Sequence, residues 1–229
     1  MSNVLVIAAH PDDEVLGCGG SIAWHTSRGD NVIVLILADG VGSRQCSDKQ
    51  EKNSSEVEVR QLNAKNANKI LGVKELVMLS YPDNQMDSVP LLDVVQQIEC
   101  VINIHNPSVI YTHNSSDVNI DHRVVHDAVI AACRPQPGSN IRQLLFFEIP
   151  SSTEWRPPAS RVMFSPNWHI NITDTLAIKL EALSIYESEL REFPHSRSIA
   201  AVEHLACWRG ASVGLHAAEA FELGRFIRR

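Results

Sequence analysis

The segment Val4-Leu5-Val6-Ile7-Ala8-Ala9 carries no polar side chain on either face. An extended segment of that kind needs cover on both sides, as a central strand of a parallel sheet has. Asn31 to Ala38 repeats the pattern after a predicted helix over 14–27, which Arg28-Gly29-Asp30 ends. The alternation continues with a helix over 55–71, where Gly72 supplies a left-handed stop. Then come a strand over 75–79, a helix over 91–104, a strand over 109–112 and a helix over 121–133. Strands alternating with helices build right-handed crossover units. The expected fold is therefore α/β, with a mostly parallel central sheet and helices on both faces.

Beyond Pro135-Gln136-Pro137-Gly138 the pattern is less regular. Strands are predicted over 144–149 and 169–172, and helices over 175–190 and 198–209. The polar stretch 39–54 reads as a loop. The irregular stretch 150–166 could shape a substrate entrance. Nothing resembles a linker, so residues 1–229 are taken as one domain.

Charge narrows the function classes. Lys plus Arg is 20 and Asp plus Glu is 27, giving a net charge of −7 with no basic run. That argues against a nucleic-acid partner. The three arginines among Arg225 to Arg229 read as a solvated tail. No apolar run approaches the ~20 residues of a membrane span, and the first residues lack a signal-peptide pattern. Five cysteines without a C-x-x-C spacing suggest reduced thiols and a cytoplasmic setting. A metal here would be held by nitrogen and oxygen. Oligomeric state is not legible, and a homo-oligomer is compatible with the sequence.

His10-Pro11-Asp12-Asp13-Glu14 follows the first strand directly. Ligands of open parallel sheets bind beyond the carboxyl ends of the strands. Three adjacent acids repel one another, and a bound cation would offset that. The alternative is that Asp12 and Asp13 cap the next helix. Gly17-Cys18-Gly19-Gly20 does not continue into a dinucleotide fingerprint, because Ile22 stands where the third glycine belongs. Close helix packing is the simpler reading of these glycines.

A second cluster, Asn119-Ile120-Asp121-His122-Arg123-Val124-Val125-His126, follows the strand over 109–112 and opens a helix. The two segments can meet at one sheet edge, offering His10, Asp13 and His122. Two nitrogens and one carboxylate suit zinc with an open position. Iron(II) accepts the same set. His126 could share a helix face with His122, but core packing suits it better.

At these segments the chain resembles the PIG-L/LmbE-like family of metal-dependent N-acetylglucosaminyl deacetylases. The resemblance takes in Ala9 to Glu14, Arg60 with Ala64 to Gly72, Asn119 to His126, and Arg209-Gly210 with Ala217 to Phe221. It implies a Rossmann-like three-layer fold and hydrolysis of an acetamide on a small-molecule amino sugar. By position it implies His10, Asp13 and His122 as zinc ligands and Asp12 as general base. Asp121 would be a supporting acid that orients Asn119 or His122. Asn119 stands where many members have a histidine that polarises the amide carbonyl. Asparagine can donate a hydrogen bond there but carries no charge, so His113 is a candidate substitute.

Arg60 and Asp83 resemble family positions that contact the sugar, and Arg44, in the polar loop after Gly40, is a further expected substrate contact. Arg44 could meet hydroxyls or a phosphate, with a solvated loop as its alternative. A surface ion pair is the alternative for Arg60, and a turn role for Asp83. His195 and His216 read as packed or surface residues more than as catalysts. Trp155 and Trp168 could form a sugar-stacking wall, with core packing expected for at least one.

Overall fold

In a computed structural model, which describes residues 1–40, 50–157 and 163–228, five strands run parallel. They are β1 (Asn3–Ala8), β2 (Asn31–Ala38), β3 (Glu75–Tyr81), β4 (Val109–His113) and β5 (Gln143–Phe147). Two further strands extend the sheet: β7 (Ala218–Phe226) pairs antiparallel with β5, and β6 (Trp168–Asn171) antiparallel with β7. The order across the sheet is β3-β2-β1-β4-β5-β7-β6. This is the Rossmann-like α/β arrangement, with a mixed outer edge.

Six helices are described: α1 (Asp13–Ser27), α2 (Gln50–Ile70), α3 (Leu91–His105), α4 (Ile120–Ala132), α5 (Leu176–Ser184) and α6 (Ile199–Ala211). The strand period of two divides β1 between two cores. Val4 and Val6 pack with Val15 and Leu16 of α1, Ala64 and Ala67 of α2 and Ala182 of α5. Leu5 and Ile7 pack on the other face with Val94 and Ile98 of α3 and Val125 and Val129 of α4. The uninterrupted apolar run of β1 is thus explained by helices on both faces. No helix among the described residues is long and apolar enough to cross a membrane.

Helix α1 is broken at Cys18, whose φ of −151° is not helical. A break exposes a carbonyl on one side and amides on the other. Lys179 Nζ donates to Leu16 O at 2.9 Å. Glu219 accepts from Gly20 N at 2.9 Å and Ser21 N at 2.7 Å. Lys179 and Glu219 then pair with each other at 2.6 Å. A Cβ on Gly17 would lie 2.5 Å from the Phe147 ring, so this glycine serves close packing of helix on sheet.

Three boundaries differ from the sequence expectation. The predicted helix over 175–190 ends at Ser184 and gives way to a tighter turn at Glu187–Glu189. There Tyr186 turns inward to donate its hydroxyl to Glu14 Oε1 at 2.6 Å. Strand β7 was not expected, because Glu219, Glu222 and Arg225 break its apolar pattern. Arg225 is not part of a solvated tail: it lies in β7, and its guanidinium donates to Cys133 O at 2.6 Å. Finally, α2 begins at Gln50, so the connection after β2 is shorter than expected.

Candidate metal centre

Neighbouring parallel strands β1 and β4 end at the same sheet edge. The chain leaving β1 delivers His10, Asp12 and Asp13. The chain leaving β4 enters α4 through Asn119, whose Oδ1 caps the helix by accepting from Asp121 N at 2.8 Å. That places Asp121 and His122 in the first turn, facing the start of α1.

The donors converge on Asp13. Its Oδ2 lies 3.2 Å from His10 Nδ1 and 3.2 Å from His122 Nε2. Each imidazole turns its other nitrogen to a second carboxylate. His10 Nε2 is 2.9 Å from Asp121 Oδ2 and 3.1 Å from Asp83 Oδ1. His122 Nδ1 is 3.1 Å from Asp117 Oδ2. This is how metal-ligating histidines are commonly backed. His10, Asp13 and His122 each offer a ligand atom within 4.8 Å of the others, and all three are buried.

The hydrogen bonding tests whether a cation fits. Asp13 Oδ1 and both ring nitrogens of His122 are buried without an aligned hydrogen-bond partner. Each such group costs about 1–3 kcal/mol. A divalent ion among these donors removes most of that cost, and the N₂O donor set suits zinc. The electrostatics agree. Burial opposes a charge on His122, yet Asp13 and Asp117 carry its pKa up to about 9. Burial would raise Asp13, but His122 and His10 hold its carboxyl well below the usual range. The pocket therefore already favours positive charge.

Asp12 occupies a strained backbone position at φ 110°, of the kind that clusters at functional sites. Its amide donates to Glu14 Oε2 at 3.0 Å. Burial pushes its carboxyl up to about 6 despite the Arg197 guanidinium, whose Nη1 lies 3.1 Å from Oδ2. Asp12, His10, Arg60, Asp83, Asn119 and Arg197 help line a polar cavity of about 100 Å³. Arg60 closes one wall by pairing with Glu189. Gly40 makes room for it: its φ is 72°, and a Cβ there would lie 2.6 Å from the Arg60 guanidinium.

Of the nine residues expected as metal ligands, catalytic groups or substrate contacts, eight thus gather at one place. The ninth, Arg44, lies outside the described residues. Asp121 differs in detail from expectation. Its carboxylate reaches His10, and it accepts from Asn84 N at 2.6 Å and Met86 N at 3.0 Å. It meets Asn119 only through its backbone amide, and Asp117 takes the place beside His122. Nor is His113 a substitute for a cavity histidine. Its Nε2 accepts the Ala9 amide at 2.8 Å, and its ring stacks on His122 at 4.0 Å.

His126 packs on Phe146 and bonds His113 O at 2.9 Å, as core packing requires. His195 Nδ1 accepts the Arg197 amide at 3.0 Å, and its ring meets the exposed Trp155 edge-on. His216 is exposed. Trp168 packs against Phe226. Sequence reasoning missed Asp117, Glu189 and Arg197. Asp117 was findable, since it ends the polar run Asn114-Ser115-Ser116 just ahead of α4. Glu189 and Arg197 come from a distant irregular stretch, and only the tertiary fold brings them in.

Known proteins resemble this chain in sequence and in fold. The chain is 29% identical over 192 residues to the uncharacterized deacetylase YaiS of Escherichia coli, covering 81% of this chain and 90% of that one. It is 29% identical over 198 residues to the diacetylchitobiose deacetylase of Thermococcus kodakarensis, covering 84% and 72%. The fold is also that of GalB, the 4-carboxy-2-hydroxymuconate hydratase of Pseudomonas putida, at a TM-score of 0.76 and 20% identity over 100% of this chain and 98% of that one. The architecture therefore does not by itself select the reaction. A family model described as PIG-L, GlcNAc-PI de-N-acetylase, matches residues 5–133, more than half of the 229. That span contains both halves of the His/Asp cluster, and the chain belongs to the PIG-L family of deacetylase-type hydrolases.

Proposed function

We propose that this protein is a zinc-dependent hydrolase that removes the acetyl group from an N-acetylglucosamine-type amino sugar or its conjugate. The observation that carries the reading is the buried His10, Asp13 and His122 donor set beside the cavity-lining carboxylate of Asp12. A metal-dependent binding protein would need the donor set but not that carboxylate. The activities of the matching family and of a relative, on acetylated amino sugars, support the same reading.

A divalent ion held by His10, Asp13 and His122 supplies what amide hydrolysis lacks in water, a polarised carbonyl and an acidified water. The chain's own residues do the rest. Asp12 takes the proton of the attacking water at its carboxylate and passes it to the departing nitrogen. Asn119 commits its Oδ1 to the start of α4, which leaves Nδ2 to donate to the amide oxygen as charge develops there. Such a donor is worth up to ~3–4 kcal/mol. Arg60 and Asp83 stand in the cavity wall, where sugar hydroxyls would meet them. Asp121 and Asp117 hold the imidazoles in orientation.

The test is acetate release from a panel of N-acetylglucosamine derivatives, with chelation and zinc restoration. The reading expects activity that chelator abolishes and zinc restores. It also expects Asp12→Asn to keep its zinc and lose at least about 100-fold in turnover. Wild-type rates in metal-loaded Asp12→Asn would remove Asp12 from the proton-transfer role.

A further inference from the structure

Asp12 is not the only charged side chain committed to the cavity. Arg197 Nη1 donates to Asp12 Oδ2 at 3.1 Å and stands 3.9 Å from Glu189 Oε2. Glu189 in turn pairs with Arg60. The charges alternate along this chain, so Arg197 is held between two carboxylates and cannot swing away from either without loss. Its backbone is fixed as well, because the Arg197 amide donates to His195 Nδ1 at 3.0 Å.

Among the described residues, Oδ2 is the oxygen of Asp12 that receives a side-chain donor. The backbone amide of Asp12 is tied to Glu14, which holds the Cα, and Arg197 holds the oxygen Oδ2. The other oxygen, Oδ1, then has one direction in which to point. Resting on the hydrolase reading above, we propose that Arg197 is a positioning residue for this reaction: it grips Asp12 by Oδ2 so that Oδ1 alone exchanges the proton with water and with the departing nitrogen. A proton acceptor helps only when it is held within hydrogen-bond reach of the proton it takes. A lysine ammonium, a point charge on a flexible stem, does not reproduce the placement of the planar guanidinium whose Nη1 faces both carboxylates.

The experiment compares Arg197→Met, Arg197→Lys and Arg197→Gly with wild type, all zinc-loaded, on the best acetylated amino sugar the wild type cleaves. Zinc affinity, measured by calorimetry, should not weaken, because the hydrogen bond of Arg197 goes to Asp12 and its positive charge, felt at Asp13, opposes a second cation there. The expected result is a kcat about 100-fold lower in Arg197→Met and at least tenfold lower in Arg197→Lys, with KM within about threefold. Added guanidinium ion should restore at least tenfold of the loss in Arg197→Gly. Should Arg197→Met fail to fold, the lysine variant decides alone. A kcat near wild type in either folded variant overturns the proposal, as does a loss in Arg197→Gly that guanidinium leaves untouched. Failure of the parent reading looks different: the wild type itself would release no acetate, and the kcat ratio on whatever amide it does cleave would then decide the role of Arg197.

Discussion

Asp121 Oδ2 lies 2.9 Å from His10 Nε2, and the same carboxylate accepts the backbone amides of Asn84 and Met86. One side chain therefore joins the loop after β1, the turn after β3 and the start of α4. Replacing it by alanine frees His10 to rotate and leaves two amides without an acceptor. Asp121→Ala should weaken zinc binding about 10–100-fold. Zinc titration by calorimetry checks this, and an unchanged affinity would make Asp121 a turn anchor only.

Asp117 serves His122 in the same way from the other side. It is held by Ser152, by Thr153 Oγ1 at 2.8 Å and by the Asn119 amide at 2.8 Å. Burial alone would raise its carboxyl, but His122 and these donors bring it down to about 2. Asp117→Asn keeps the size and several hydrogen bonds while removing the charge behind His122. A zinc affinity about tenfold weaker is expected. Equal affinities in the variant and the wild type would remove the supporting role.

Lys179 and Glu219 are both almost fully buried, and together they mend the break in α1. Removing one partner strands the other charge in the core. Glu219→Gln or Lys179→Met should each cost about 3–5 kcal/mol. The double variant should cost clearly less than the sum of the two. Urea unfolding of all four proteins measures the difference. Additive losses would mean that the two side chains act separately.

His25 gives a pH dependence outside the His/Asp cluster. Its ring bonds Asp30 at 2.8 Å and the Tyr111 hydroxyl at 2.9 Å. Burial lowers its pKa, and Asp30 offsets that only in part. The folded state thus binds a proton less readily than the unfolded chain, whose histidine titrates near ~6.5. Stability from neutral His25 is present above that value and falls as pH drops through it. His25→Gln should therefore cost more at pH 7.5 than at pH 5.5 in paired urea unfolding curves. A cost that grows toward acid would reverse the assignment.

The parallel half of the sheet was legible because β1 and β2 are apolar on both faces, which only a sandwiched strand tolerates. The convergence of His10, Asp13 and His122 was legible because both segments follow buried strands, and parallel neighbours end at one edge. Strand β7 was not, since Glu219 breaks its pattern for a reason that lies in Lys179, 40 residues away. The same holds for Arg197, which is 185 residues from the carboxylate it grips. Asp121 shows a finer limit: its place beside His122 in sequence said nothing of its reaching His10, because the turn of α4 points it across the cavity edge.

The central claim is that two imidazoles and one carboxylate hold a divalent ion at the joined ends of β1 and β4. X-ray absorption at the zinc edge of the metal-loaded protein tests it most directly. The account predicts two imidazole ligands, with nitrogen and oxygen at about 2.0–2.2 Å, and loss of one imidazole in His122→Ala. Sulfur scattering at about 2.3 Å, or an unchanged spectrum in His122→Ala, would contradict it.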